Sequence, residues 1–361
     1  MIHDYLIFLR FCLSDDAEMP AVADSINWHA LYDFAKKQAI AGIYWQGVKR
    51  VRGNNKPTDE DVLEWMALSK GLERKNKVAD EKVAWVTNNF RIEGFRTCLL
   101  KGQGNALMYP QPYSRTSGDI DIWVEGGDKK VISYVHSITP GTKACYHHVA
   151  FRKAGNIDIE VHYRPSWLNN PYNNKRLQEW FVDHSDACFQ PRNGNAVEEK
   201  ARQLGFNVPT WEFNVVFQLC HIYNHLLHEG IGLRQIIDYY YLLKNMETKP
   251  TEMTATLQPL GLLTIGRAVM WVLHEVLGLD EQYLICPPDA THGKMLLKEI
   301  MAGGNFGHHD DRILSGSYSS PLKANIQRFV RDIRMMRYYP GETLWEPWFR
   351  IYHFFWRRKH Q

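Results

Sequence analysis

Apolar residues recur with two different spacings along the chain, and the change of spacing divides it into three segments. In residues 1–92 they recur three and four positions apart, as at Leu31, Phe34 and Ala35, which is typical of one face of a helix. The pattern predicts three helices, over Tyr5–Cys12, Trp28–Lys49 and Asp59–Ile92. We therefore expect an N-terminal helical lobe over residues 1–92.

Residues 93–190 alternate short apolar runs with polar breaks, which favours strands and helices in turn. The runs predict strands near 96–101, 119–124, 146–152 and 156–163, with helices near 103–109 and 127–137. Gly155 and Asn156 separate the last two strands as a hairpin turn would. Residues 191–361 return to helical spacing. The chain thus predicts an α/β (α+β) core of four or five strands between two helical lobes.

One of the predicted strands carries two acids. In Asp119–Val124, DIDIWV, the apolar residues alternate with Asp119 and Asp121, so both carboxylates point to the same face. Two adjacent carboxylates repel each other unless a cation lies between them, and hard oxygen ligands select Mg²⁺ or Mn²⁺. A bare D-x-D also occurs on solvated surface strands, so the pattern alone leaves both interpretations open.

The strand near 156–163 offers a third acid. Period two places Asp158, Glu160 and His162 on one face of this strand. Either acid is a candidate to join Asp119 and Asp121. Three acids converging without a cation should repel, which would raise the pKa of at least one of them. On this basis Asp119→Asn or Asp121→Asn is expected to leave the metal-free protein as stable as the parent, or more so.

Composition narrows the class of protein only a little. The 361 residues have a formal net charge of +3, which is too close to neutral to indicate a nucleic-acid partner. Six cysteines stand without close spacing, so we expect free thiols and a cytoplasmic protein. No run of about 18 apolar residues predicts a membrane span.

Several residues together resemble a known family. Lys101-Gly102 after an apolar strand, Tyr109-Pro110, Arg115 and Gly118–Ile122 are similar to the pattern of the bacterial uncharacterised nucleotidyltransferase family, in the DNA polymerase beta-like superfamily. The resemblance implies a polymerase-beta-like core with a mixed sheet over residues 93–190. It also implies transfer of a nucleoside monophosphate from an NTP such as ATP to an acceptor hydroxyl, with two Mg²⁺ or Mn²⁺ ions.

The resemblance also implies roles for individual residues. The catalytic and metal-binding acids would be Asp119, Asp121 and Glu160, where Glu160 is selected by the following Val161-His162-Tyr163 and Asp158 is the fallback. Nucleotide and phosphate binding would fall to Lys101, Gly102, Gln103, Arg115, Gly118, His225 and Arg234. Gln103 stands where the superfamily usually has Ser, which favours an alternative, a catalytically silent member that binds nucleotide or a partner protein.

Three further features have more than one interpretation each. His221, His225 and His228 share a helix face and indicate structural histidines, substrate contacts or, least often, a zinc site. Residues 303–311 predict a surface loop or a lid, and their His and Asp residues are the only cluster that would suit a phosphohydrolase. Residues 345–359 predict a helix packed on the core or one lying on a membrane surface.

Overall fold

The computed structural model describes residues 1–14, 17–151, 157–246, 252–310, 312 and 321–360. The N-terminal helices are α1 (Ile2–Cys12), α2 (Trp28–Lys37), α3 (Ala41–Val48) and α4 (Asp59–Ile92). The prediction of one helix over Trp28–Lys49 is wrong. Ala39 has a φ of 57°, a left-handed conformation that ends α2 and lets α3 leave in a new direction.

Helix α4 is the longest element, with 34 residues, and its start follows from local chemistry. The Thr58 hydroxyl accepts the Asp61 N–H at 3.1 Å, and the Asp61 carboxylate accepts the Thr58 N–H at 3.0 Å. This capping box satisfies two backbone donors that a helix start leaves without partners. The C-terminal half of α4 packs against the sheet through Val83, Val86 and Phe90.

The sheet has four strands, as predicted: β1 (Thr97–Leu99), β2 (Ile120–Val124), β3 (His148–Phe151) and β4 (Ile159–His162). Their order is β1-β2-β4-β3. The central pair, β2 and β4, is parallel, whereas β1 and β3 pair antiparallel at the edges. The sheet is therefore mixed. The predicted turn at Gly155-Asn156 lies outside the described residues.

Among the described residues, two further α-helices stand between strands and ten follow the last strand. Helices α5 (Gln103–Ala106) and α6 (Gly127–Ile138) stand between strands. The remaining helices are α7 (Pro171–Asp183), α8 (Ala196–Gln203), α9 (Trp211–His228), α10 (Leu233–Lys244), α11 (Thr254–Leu257), α12 (Leu263–Trp271), α13 (Ala290–Gly303), α14 (Pro321–Met336), α15 (Pro340–Thr343) and α16 (Glu346–Lys359). No described helix has both the length and the apolar character that crossing a membrane requires.

Helices from both ends of the chain share one hydrophobic core. Phe8 and Trp65 from the N-terminal segment belong to the same buried cluster as Phe213 on α9 and Ile237 on α10. A second cluster lies beneath the sheet. The C-terminal helix α16 packs on this part of the protein with one face, since Trp356 is buried there. Helices α9 and α10 thereby close over the end of the sheet where the acids lie.

Candidate functional site

The sheet register brings three carboxylates together. Asp121 on β2 lies directly opposite Glu160 on the parallel strand β4, and Asp119 comes just before β2. Ligand oxygens of these three acids all lie within 4.8 Å of one another. Asp158 is exposed, and what it contributes to β2 is its carbonyl, which accepts the Ile120 N–H at 2.9 Å. The parallel pairing therefore places Glu160, and not Asp158, beside the D-x-D acids.

Two cations hold the buried member of this group. The Lys101 ammonium lies 3.0 Å from Asp121 Oδ1, and His162 Nε2 lies 3.0 Å from the same oxygen and 3.5 Å from Glu160 Oε2. Burial raises the pKa of Asp121. Lys101 and His162 lower the pKa by more than burial raises it, so the pKa lies below its usual value. Burial likewise raises the pKa of Glu160, but the hydrogen bond from His162 and the nearby positive charge together outweigh burial, so this pKa also lies below its usual value.

The pKa of His162 shifts in the opposite direction, upward. Burial lowers the pKa of His162, but its hydrogen bonds to Asp121 and Glu160 raise it to about 9. The expectation that mutual repulsion raises the pKa of an acid is therefore wrong for both Asp121 and Glu160. Lys101 and the imidazolium compensate the negative charge, so we expect Asp121 to stabilise the metal-free protein.

One carboxylate oxygen of the site has no hydrogen-bond partner in the part of the chain that the structure describes. Asp121 is fully buried, and its Oδ2 has no hydrogen bond among the described residues. A buried carboxylate oxygen left unsatisfied is costly and calls for an explanation. It stands beside Asp119 and Glu160, both partly exposed. Three carboxylates with such a vacant acceptor fit a hard divalent cation such as Mg²⁺ or Mn²⁺.

The structure adds a histidine that the sequence did not single out. His148 on β3 has its Nδ1 3.1 Å from Glu160 Oε2 and 2.9 Å from His147 Nε2. Burial lowers the pKa of His148 to about 4, so it is neutral at pH 7. His148, Glu160 and His162 form a second group of converging ligand atoms. The adjacent histidines at the start of a strand were the only signal, and only the β3–β4 register shows where they lie.

The turn before α5 runs against the D-x-D strand. Gly102 has a φ of 62°, and a Cβ there would lie 3.2 Å from the Asp119 carbonyl oxygen, so both conformation and space require glycine. The Gln103 side chain is buried and donates to Asp80 Oδ1 at 2.5 Å, toward α4 and away from the acids. Only its backbone remains on the side of the turn that faces Asp119.

The two predicted arginines occupy different environments. Arg115 donates from Nε and Nη2 to both carboxylate oxygens of Asp238, at 2.7 and 2.8 Å. Arg234 is also buried, but its Nε has no partner among the described residues. Its Nη1 reaches the Thr116 carbonyl at 3.3 Å. Burial lowers the pKa of Arg234, as expected for a cation without a full set of partners.

A recess holds Arg234 next to the predicted phosphate-binding turn. Lys101, Gly102, Gly118 and Asp119 line it together with Arg234. A Cβ on Gly118 would lie 3.5 Å from Arg234 Nη1, at van der Waals contact, so Gly118 lies directly beside the guanidinium. The recess therefore combines two cations and a glycine turn beside the carboxylates, which is the chemistry that phosphate oxygens require.

A cavity of about 730 Å³ extends from the carboxylates to the C-terminal helices. Its walls are aromatic and basic, with Trp167, Phe217 and Phe306, the three histidines of α9, and Gln327, Arg328 and Arg331 of α14. Phe306 and His308 place part of the 303–311 segment in the wall, whereas Asp311 lies outside the described residues. A cavity of this size accommodates a small organic substrate.

The histidines of α9 line this cavity without forming a group of converging ligands. His225 Nε2 lies 3.1 Å from His221 Nε2, and its Nδ1 lies 3.0 Å from Glu229. Burial lowers the pKa of His228 to about 4. The ligand groups found in the described part of the chain include none of the three. His225 lines the cavity, and its hydrogen bonds with His221 and Glu229 fix the orientation of its ring.

The structure thus combines an α+β fold with three converging carboxylates and a recess that holds Lys101 and Arg234. The family model described as "uncharacterised nucleotidyltransferase" matches residues 24–278. The chain belongs to that family, which confirms the resemblance. No curated protein and no solved structure matches the chain. The matched region contains all three acids, Lys101 and Arg234, and it ends before α13.

Proposed function

We propose that this protein is a metal-dependent nucleotidyltransferase that moves a nucleoside monophosphate from an NTP to an acceptor hydroxyl. The observation that carries the proposal is the unsatisfied, fully buried Oδ2 of Asp121 within the group formed with Asp119 and Glu160. This oxygen lies beside two further carboxylates, so a bound cation there would supply the partner that it lacks. The sheet would then be a polymerase-beta-like core.

The three acids would hold two Mg²⁺ or Mn²⁺ ions. Bound there, such ions neutralise triphosphate oxygens and lower the pKa of an attacking hydroxyl. Lys101 keeps Asp121 ionised and fixed in orientation at 3.0 Å. His162 Nε2 contacts both Asp121 on β2 and Glu160 on β4, and so links the two carboxylates. Its Nδ1 lies 3.3 Å from the Arg164 carbonyl oxygen, which fixes the orientation of the ring.

The recess and the cavity divide the substrates between them. Arg234 would donate to the triphosphate, with Gly102, Gly118 and the backbone of Gln103 allowing its close approach. Arg115 would act indirectly, because its paired Nε and Nη2 hold Asp238 and contribute charge to the recess. The cavity beyond Glu160, with His225 in its wall, would receive the acceptor.

Isotope transfer tests this assignment. Each of the four NTPs, labelled on the α-phosphate, is incubated with the protein, Mg²⁺ or Mn²⁺ and cell extract, in parallel with γ-labelled nucleotide. The proposal requires α-label, and not γ-label, to appear in an acceptor, and Asp119→Asn to abolish the transfer. Transfer of γ-label would instead indicate a kinase.

The alternative is a member of the family that binds nucleotide without turnover. Gln103 supports it, because its side chain faces α4 and supplies no hydroxyl to the phosphate turn. Equilibrium binding of the same nucleotides, measured on samples that show no label transfer with any metal, would favour this alternative.

A further inference from the structure

Helices α14 and α16, which a hydrogen bond from Arg350 Nη2 to Asn325 Oδ1 joins at 2.9 Å, each leave many apolar residues exposed. Of 23 large hydrophobic residues exposed in the described part of the chain, 11 lie between Ile326 and Phe355. They recur three and four positions apart, which gathers them on one side of each helix. We name as the C-terminal apolar face Ile326, Phe329, Val330 and Ile333 of α14 with Trp348, Ile351, Tyr352 and Phe355 of α16.

This face remains after each helix has packed. Phe349 and Trp356 of α16 contact the Tyr146 ring, with centroids 5.5 and 6.1 Å away. Gln327 and Arg331 of α14 point the other way and line the cavity. Phe329, Trp348 and Phe355 are nevertheless 64, 65 and 61% exposed. Patches of this extent mark interaction surfaces, whereas scattered exposed hydrophobic residues do not.

The same helices concentrate positive charge. Residues 321–360 contain nine Lys and Arg and three acids, whereas the remainder of the chain has 34 against 37. All three acids, Asp332, Glu342 and Glu346, are buried. The exposed cations are Lys323, Arg328, Arg337, Arg357, Arg358 and Lys359. A near-neutral protein thus carries its excess positive charge on the two helices that present these exposed apolar residues.

We infer that the C-terminal apolar face docks on the surface of an anionic lipid bilayer, with α14 and α16 lying in the interface. Helices that bind there present Trp, Phe and Ile to the lipid and Lys and Arg to the headgroups. A second copy of the chain fits less well, because pairing two such faces brings like charges together. Docking does not depend on the chemistry of the cavity, although α14 provides both the face and a cavity wall.

Co-sedimentation of the full chain with vesicles tests the inference. The probes are phosphatidylcholine vesicles with and without phosphatidylglycerol. We expect the protein to pellet with the anionic vesicles, and to do so less as salt increases. Trp348→Ala with Phe355→Ala should weaken binding about tenfold or more, from the apolar area lost to the bilayer. Arg357→Glu with Arg358→Glu should remove the preference for phosphatidylglycerol and preserve the apolar face.

The matched control is Ile92→Ala with Val182→Ala, since these side chains are 68 and 71% exposed and lie outside the face. This variant should bind vesicles like the parent, and circular dichroism melting should be alike for all. Failure of the parent to bind anionic vesicles overturns the inference. Light scattering that shows a dimer in the parent and a monomer in Trp348→Ala/Phe355→Ala, without vesicle binding, would assign the face to self-association instead.

Discussion

Two buried aspartates at this site, Asp238 and Asp121, are both paired with cations. They differ in whether both carboxylate oxygens have a hydrogen-bond partner among the described residues. Asp238 Oδ1 accepts Arg115 Nε and the Tyr109 hydroxyl at 2.7 and 2.6 Å, and its Oδ2 accepts Arg115 Nη2 and Asn105 Nδ2 at 2.8 and 3.2 Å. Asp121 has both cations on Oδ1 and none on Oδ2.

The difference indicates different roles for similar residues. A fully satisfied buried ion pair fixes the arrangement of the chain, and removing one partner leaves an uncompensated charge. At Asp121 the oxygen without a partner among the described residues lies beside two further carboxylates, which makes it available to a ligand. We therefore interpret the Asp238 network as the support of the recess, and the Asp121 network as the working site.

The largest expected effect is on the supporting network. Asp238→Asn should lower the free energy of unfolding by about 3–5 kcal/mol, because Arg115 would keep a buried and uncompensated charge. Urea unfolding measures the change. Asp186→Asn is the control, since it removes an exposed partner of Arg96 and should cost at most about 1 kcal/mol. Equal losses in the two variants would contradict the structural role of Asp238.

A third buried acid shows what happens without a cation. Glu342 accepts the N–H groups of Asn169 and Asn170 at 2.6 and 3.1 Å, but no Lys or Arg pairs with it among the described residues. Burial raises the pKa of Glu342 to about 7, against those hydrogen bonds. The protonated form is therefore favoured in the folded protein below a pH of about 7.

The raised pKa of Glu342 should make the free energy of unfolding fall as the pH rises. A raised pKa in the folded state contributes stability that is full below the unfolded pKa and is lost as the pH rises through about 7. Between pH 4.5 and 7 the contribution of Glu342 should fall by up to roughly 3 kcal/mol. Urea unfolding at several pH values should show a steeper fall in the parent than in Glu342→Gln. Parallel curves would contradict the explanation.

A smaller loss is expected at the working site. Asp121→Asn should lower the free energy of unfolding by about 1–3 kcal/mol in the absence of metal, because Lys101 and His162 lose their shared carboxylate. This reverses the sign expected from repulsion between acids. An Asp121→Asn variant that unfolds later than the parent would show that repulsion dominates after all.

The smallest effect concerns Gln103. Gln103→Ser should keep or raise nucleotide affinity, within about threefold of the parent, because the side chain faces Asp80 and only the backbone meets the phosphate. Gly102→Val should abolish binding, since the turn requires a φ of 62° and close approach. Nucleotide titration by calorimetry compares the two. Strong loss in Gln103→Ser would mean that the side chain contacts the ligand.

Local patterns predicted the elements better than their arrangement. Period two was sufficient to place Asp119 with Asp121, and Glu160 with His162, on shared strand faces. The break at Ala39 was missed because an alanine gives no sign of a left-handed conformation. The β1-β2-β4-β3 order was not predictable from spacing, because strand neighbours depend on packing across the whole sheet.

The candidate site shows the same limit. Residues within one motif were found, but the compensation of Asp121 by Lys101 and His162 joins three separate segments. His148 reaches Glu160 because β3 pairs with β4, a contact that neither strand sequence reveals by itself. The partners of Arg115 and Gln103 lie 123 and 23 residues away. Their orientation toward Asp238 and Asp80 therefore depends on tertiary contacts.

Thermal unfolding with and without Mg²⁺ and NTP tests the central claim, that the converging carboxylates bind metal and nucleotide. Asp119→Asn removes one of these acids, and Asp158→Asn removes an exposed acid from the same sheet. A ligand that binds only the folded state raises the melting temperature. The parent and Asp158→Asn should show the same metal- and nucleotide-dependent increase, and Asp119→Asn should show none. An undiminished increase in Asp119→Asn would contradict the claim.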